Sequence, residues 1–468
     1  MMSQNRQRII RNIDRIFLLS LGVVCVLYSI YHSHFAELQI KPDFLNFPIF
    51  IGEIVLGICV LWWMIRWGLT GFPRSRAGWF LAGYLMWLAV KAGKGYIDYG
   101  PLAFRNAALF YYALFAVFVY SLAEGLSVRD RRWWPVMLMG ILIVLVHGIY
   151  RYFYLPYFLL AWLCLKNFPD KRSKIFGLLV VGLAFPFQQF FPEGRAALLG
   201  IWVSLTFLSM AIIAAFLRGD RMKKWILSGI GAAALIGVFL MFTSGYTLES
   251  TMRVGRWLGE FERRDRIIQA MKKDFTRQEI DPQLYHSNRE EMSRRKKTGR
   301  EDPKVHTYEQ RLDIAYGNIT FRLFIWRDML GEYWRVNPLT GVSFGRPLRS
   351  ISIEILQMAW GEWSRDGWIM PHSVFMHIIY RAGLVGVVLI AGIFYCWGRM
   401  VYRFIRFRSL EGLLLCAILL YWLVVAAFSV TLELPYQAIP FWSLWGAAAA
   451  YSFRVKSGNL GESRRADE

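Results

Sequence analysis

Residues Trp368 to Trp397 read WIMPHSVFMHIIYRAGLVGVVLIAGIFYCW. The run is apolar enough to lie in lipid, yet it opens with Pro371-His372-Ser373 and carries Arg381 inside it. An imidazole or a charge at membrane depth is costly, so such groups usually face a protein interior or a wet cavity, and they mark function by default. The reading of this stretch as a membrane helix with a polar mouth sets the fold class for the rest of the chain.

Working outward, 56% of the 468 residues are hydrophobic and 17% are aromatic, more apolar surface than a soluble domain could bury. The composition predicts an all-α, polytopic membrane protein. At roughly 20 apolar residues per crossing, about twelve segments qualify. They fall near 16–31, 47–65, 77–91, 102–122, 133–149, 154–165, 175–191, 195–217, 225–243, 374–397, 411–430 and 437–453. The expected organisation is transmembrane helices 1–9 over 1–243, an external loop domain over 244–372, helices 10–12 over 373–453 and a tail over 454–468.

The net charge of +22 would suit nucleic acid, but its placement argues for a membrane. With the N-terminus cytoplasmic, one face collects Arg6, Arg8, Arg11 and Arg15, then Arg66, Arg74 and Arg76, and likewise the clusters near 129–132, 166–174, 218–224, 399–408 and 454–465. The opposite short loops hold little beyond Lys41, Lys94 and Arg151. This is the positive-inside pattern, and it predicts an even helix count with both termini cytoplasmic. Cys25, Cys59, Cys164, Cys396 and Cys416 lie within or at the ends of spans and read as packing residues, without disulfide or metal roles.

The external segment begins with a mixed-charge helical pattern and passes through a polar stretch that reads as solvated. Order is expected to return near Leu312, where ITFRLFIWRDMLGEYWRV forms an amphipathic helix closed by the breakers of NPLTGVSFGRP. A smaller external loop is expected at KGYIDYGP, Lys94 to Pro101, just before Arg105; a third, FPEGR, brings Glu193 and Arg195 to the start of a helix. Three external sites thus carry an arginine, Arg105, Arg195 and Arg322, and periodicity leaves open whether they meet.

His372 is placed at the external end of the tenth span, where an imidazole can exchange a proton near neutral pH. The plain alternative is an interfacial histidine bonded to a backbone carbonyl. His377, five residues on, makes poor metal-ligand spacing with it, and His32 and His34 read as interfacial polar residues. Arg195 and Arg322 are permanently charged forks suited to phosphate oxygens; their alternatives are a snorkelling side chain and a surface ion pair. Arg381 lies about 13 Å deeper than His372 on a continuous helix, where a carbonyl or acidic partner serves it as well as a catalytic role would. The sequence has no Asp-x-Asp, no phosphate-binding Gly-rich loop in context, no HExxH and no clustered cysteines, so metal-dependent sugar transfer from a nucleotide donor and nucleotide hydrolysis lose most of their support. No metal or other cofactor is expected.

RLFIWRDMLGEYWRVNPLTGVSFG followed by PHSVFMHIIYRAGLVG resembles the signature of the O-antigen ligase and polymerase superfamily. The matching positions are Arg322 and Trp326; Pro338, Leu339, Gly341, Val342 and Gly345; then His372, Ser373, Gly383 and Gly386. The twelve-helix layout, the long loop before the histidine and Arg195 in EGRAALLG are also similar. Two features depart from the pattern: Arg381 stands where relatives often have an acidic residue, and Arg253 to Lys304 looks like an insertion.

The resemblance implies a bacterial inner-membrane enzyme that takes a glycan from undecaprenyl diphosphate at the periplasmic face and joins it to an acceptor hydroxyl, inverting the anomeric carbon. It implies His372 as the catalytic residue and Arg195, Arg322 and Arg105 at the diphosphate. Trp326, Pro338, Gly341, Gly345, Ser373, Gly383 and Gly386 would be structural. The expected partners are the carrier-linked glycan donor, a lipid A core or glycan acceptor and membrane lipids, with no nucleic acid. A polymerase shares this donor and differs in its acceptor. A lipid-linked glycan transporter or flippase is the alternative of another class; it would carry charges near mid-membrane and paired broken helices, whereas here the candidates gather at the external boundary.

Overall fold

The structure, a computed structural model, describes residues 4–40, 49–70, 76–124, 195–216, 266, 308–348, 350–352 and 371–466. The expected spans at 133–149, 154–165, 175–191 and 225–243, with most of the external segment, lie outside the described residues. The described chain is almost wholly helical, as composition predicts. Its elements are α1 (Gln4–Ala36), α2 (Ile51–Thr70), α3 (Arg76–Tyr99), α4 (Leu102–Tyr111), α5 (Leu114–Glu124), α6 (Arg195–Phe216), α7 (Tyr308–Val336), α8 (Val374–Arg406), α9 (Leu410–Ala426) and α10 (Pro435–Ala466). A two-residue antiparallel ladder, Gln39 with Phe50 and Ile40 with Ile49, links α1 to α2. A 3-10 turn, Thr431–Glu433, joins α9 to α10.

Two described helical stretches, Leu102–Ala123 and Val374–Arg406, are long and apolar enough to cross a membrane, and Leu199–Ala215 and Leu410–Ala426 are shorter apolar helices. Large apolar side chains also stand exposed along the outer faces of α2, α3 and α8, among them Met64, Trp79, Met86, Val90, Val388 and Tyr395. So extended an apolar exterior is unusual for a soluble monomer.

Inside, α9 is buried on nearly every face between α6, α8 and α10, while α10 also packs along α5 and α1. Apolar burial drives little association where the alternative is lipid, so close packing must hold such helices. Small residues supply it: Gly200 faces the ring of Tyr421, Gly412 the ring of Phe404 and Gly446 the Ala116 carbonyl. Trp422, Phe441, Phe115 and Phe118 fill the centre.

One expectation needs correction. Lys94 to Pro101 was predicted as an external loop, but α3 runs on through Tyr99 and only Gly100, at φ 72°, turns the chain. The phenol ring of Tyr96 and the phenyl ring of Phe104 meet across that turn at 5.3 Å, so apolar contacts support helix where Gly and Asp suggested loop.

Candidate functional site

The amphipathic helix predicted from ITFRLFIWRDMLGEYWRV is present as the second half of α7, and its breakers close it as expected. Asn337 ends the helix by accepting from the Leu339 and Thr340 amides at 3.0 and 3.1 Å, an Asx turn of the kind that favours Asn. Its apolar face buries Phe324, Ile325, Met329 and Tyr333 against Val342, Leu348 and Tyr380.

The Pro338 to Gly345 turn then serves a specific break in α8. Gly383, at φ 61° and ψ −139°, interrupts α8 and frees backbone groups that a continuous helix would pair. The turn takes them: the Val342 amide donates to the Tyr380 carbonyl at 2.8 Å, and the Leu384 amide donates to the Pro338 carbonyl at 3.0 Å. Gly341, itself at φ 72°, lies so close that a Cβ there would sit 2.6 Å from the backbone of Arg381, Ala382 and Gly383; one on Gly383 would lie 2.5 Å from the Gly341 amide nitrogen. Two glycines in left-handed conformations thus interlock, which gives the paired glycine spacing of the sequence a physical reason. The turn is fixed on its other side by Asn106 of α4, which accepts from the Gly345 amide at 2.8 Å, and by Lys91 of α3, which donates to the Thr340 carbonyl.

This scaffold presents His372. Trp326 of α7 donates from its indole to the Pro371 carbonyl at 2.6 Å, and Ser373 caps α8 by accepting from the Met376 amide at 3.3 Å. Between these anchors His372 is held at φ 50°, in the left-handed region, a conformation that costs an L-residue roughly 1 to 2 kcal/mol. Such strain persists only where the surroundings impose it, and it clusters at functional sites. The Phe321 ring meets the imidazole edge to face at 5.9 Å, and Arg322, one turn before Trp326, lies within electrostatic reach of it. Burial first, then the Arg322 charge, lowers the His372 pKa below its ordinary 6.5, with Glu433 pulling the other way. The imidazole is therefore unprotonated at neutral pH and able to accept a proton. Burial also lowers the Arg322 pKa.

Behind His372 lies a set of contacts that the sequence did not point to. His377 Nδ1 sits 2.6 Å from a carboxylate oxygen of Glu433, in the 3-10 turn. Arg381 donates from Nε to His377 Nε2 at 3.3 Å and from a terminal nitrogen to the Ser343 carbonyl at 2.7 Å. These bonds fix the tautomer: Nε2 accepts, so Nδ1 donates to Glu433. Arg381 thus has the carbonyl partner that was one of its two expected roles, together with an imidazole. Glu433 is also within electrostatic reach of Arg105 of α4. Its only sequence signal is an acidic side chain in TLELP where an apolar span ends, which on its own is an ordinary interfacial carboxylate.

The structure therefore brings Arg105 and His372 within electrostatic reach of Glu433 at one end of the bundle, with Arg322 beside His372. Arg195 is the first residue of α6; its side chain lies outside the described residues. Residues 190–391 match the family described as O-Antigen ligase. This match supports membership of the O-antigen ligase superfamily. No curated protein matches the chain. The matched stretch takes in Arg195, α7, the glycine-locked turn and the mouth of α8, so it spans every motif residue from Arg322 to Gly386; Arg105 and Glu433 lie outside it. The match supports, in outline, a ligase- or polymerase-like glycosyltransferase. Among the described residues no group of three or more His, Cys, Asp or Glu side chains could hold a metal ion.

Proposed function

We propose that the chain is an inverting glycosyltransferase of the bacterial inner membrane that moves a glycan from undecaprenyl diphosphate to a hydroxyl of lipid A core at the periplasmic face. The observation that carries this reading is the strained, unprotonated His372 held beside Arg322 by the Trp326 to Pro371 hydrogen bond. In this reading the twelve-helix layout of the sequence holds, with both termini cytoplasmic and the 244–372 segment periplasmic.

The reaction asks for two things. The bond between the anomeric carbon and the diphosphate oxygen must break with its electron pair leaving on phosphate, and the acceptor hydroxyl must lose its proton as its oxygen bonds to that carbon. Arg322, with Arg195 and Arg105, meets the first need through charge-assisted hydrogen bonds that strengthen as negative charge grows on the leaving group. His372 meets the second by taking the proton, a contribution of about a hundred- to ten-thousand-fold. Attack from the face opposite the diphosphate inverts the carbon.

Mass analysis of products formed by the purified full chain from a carrier-linked glycan, with and without lipid A core, tests the proposal. Sugar on the core is expected. Elongated carrier-linked chains would replace it with a polymerase, and donor moved across vesicles without any covalent product would replace it with a transporter.

A further inference from the structure

Glu433 stands apart from the residues that the motif comparison selects. It closes the 3-10 turn between α9 and α10, outside the stretch matched to the family, and its side chain is only 15% exposed. A carboxylate so enclosed must be compensated, and the compensation comes from the site itself. His377 binds it at 2.6 Å from α8, Arg105 faces it from α4, and the charges of Arg381 and His372 feel it from α8 and its mouth. The α7 helix contributes Arg322, facing His372, and Glu332, which accepts from Tyr380 at 2.6 Å, pairs with Arg346 at 2.9 Å and faces Arg381. Of these two carboxylates, Glu433 is the one whose charge reaches His372.

Proton transfer to His372 creates a second cation next to Arg322, in a half-buried place. Without an anion in reach that step works against both desolvation and repulsion. The tautomer of His377 leaves the charge of Glu433 intact: Nδ1 donates to the carboxylate and Nε2 is occupied by Arg381. The carboxylate is therefore available to balance an imidazolium at His372, and its bond to His377 keeps it from collapsing onto a single arginine.

We infer that Glu433 is a positioning residue of the transfer site, the carboxylate that balances the charge His372 acquires on taking the acceptor proton and that holds Arg105 at the same mouth. The inference rests on the proposed reaction: the acceptor O–H bond breaks with its proton moving to His372, the acceptor oxygen bonds to the anomeric carbon, and the diphosphate departs with the electron pair of the broken bond. Glu433 exchanges no atom in this sequence. It acts through His372.

The test compares the purified full-length protein with Glu433→Gln, Glu433→Asp and His372→Ala, reading turnover against pH and binding of undecaprenyl diphosphate. Because His372 must be unprotonated, turnover rises with pH through its pKa. Glu433 raises that pKa, so Glu433→Gln should move the acid limb to lower pH by about one unit and lower the plateau about tenfold or more, with carrier binding within about threefold. Glu433→Asp, whose carboxylate is withdrawn by one methylene, should give an intermediate limb, and it carries the test alone if Glu433→Gln does not fold. A limb that stays in place in the folded variants overturns the inference, whatever happens to the rate, since a merely structural carboxylate would alter stability and leave the limb where it is. If His372→Ala is as active as the parent, the site reading itself fails; if His372→Ala is inactive and the limb does not move, only the role of Glu433 fails.

Discussion

Two buried ionic clusters sit at opposite ends of the described bundle, and they are built differently. Toward the start of α1, Asp14 is 1% exposed, lies 3.4 Å from Arg66 of α2 and accepts from the Trp62 indole at 3.0 Å, while Arg66 also donates to the Ser121 carbonyl of α5 at 2.9 Å. One acid meets one cation, and the pair ties three helices together. At the other end, Arg105 and Arg381 lie within reach of Glu433, Arg381 and Arg346 face Glu332, Lys91 lies near Arg381, and Arg322 stands beside a strained histidine. Among the groups named, the first cluster is balanced. The second carries more positive than negative charge among the groups named, the arrangement expected where an anionic ligand completes the site.

The sharpest way to break this comparison is to cut each cluster. His372→Ala and Arg322→Ala should each lower glycan transfer by about a hundredfold or more while leaving thermal stability in detergent within about 1 kcal/mol, since neither change orphans a buried partner. A large loss of stability with normal turnover per folded molecule would show that the His372 cluster is structural after all.

Asp14→Ala should do the reverse. It removes the carboxylate beside Arg66, whose side chain is largely enclosed, a loss of about 3 to 5 kcal/mol, read as a lower unfolding temperature, with turnover of the folded fraction unchanged. Replacing both partners with apolar residues of similar volume should recover much of the loss, because no charge is then stranded. If the double variant is no better than the single one, the pair is not the unit that holds α1, α2 and α5.

The two clusters also differ in how much of them the sequence discloses. The α7 helix, the turn and the mouth of α8 were legible because each depends on short-range chemistry. Asn337 after an apolar helix specifies the stop, and Gly341 and Gly383 mark backbone that no other residue can follow. Pro371-His372-Ser373 marks a capped helix start. What joins them was not legible, because contacts between helices far apart in sequence leave no local periodicity. Trp326 read as part of an apolar face, yet its indole nitrogen reaches Pro371, and Glu433 read as nothing in particular until α10 folded back beside α8. The Lys94 to Tyr99 stretch failed the other way: its glycine and acid suggested a loop, and packing against α4 kept it helical.

A smaller effect sharpens the account of how His372 is held. Trp326→Phe keeps the ring in the α7 face and deletes only the hydrogen bond to the Pro371 carbonyl. One such bond is worth about 1 kcal/mol, so transfer should fall about five- to tenfold with carrier binding unchanged. A silent variant would mean that the Ser373 cap alone sets the conformation of the histidine.

The smallest effect is on pH, and its sign follows from the neighbours of His372. Burial and Arg322 both disfavour the imidazolium, so the folded pKa lies below 6.5 and the base is already free at neutral pH. Turnover should therefore be flat across neutrality and fall only as the solution is acidified through a value below 6.5, with donor binding nearly constant over that range because the arginines stay charged. Replacing Arg322 with Gln removes the repulsive cation and should move the limb upward, opposite to the effect of neutralising Glu433, even though the rate at every pH is low. Limbs that moved in the same direction in both variants would mean that the titrating group is not an imidazole lying between a guanidinium and a carboxylate, and the contrast between a balanced clamp and a charged mouth would lose its chemical content.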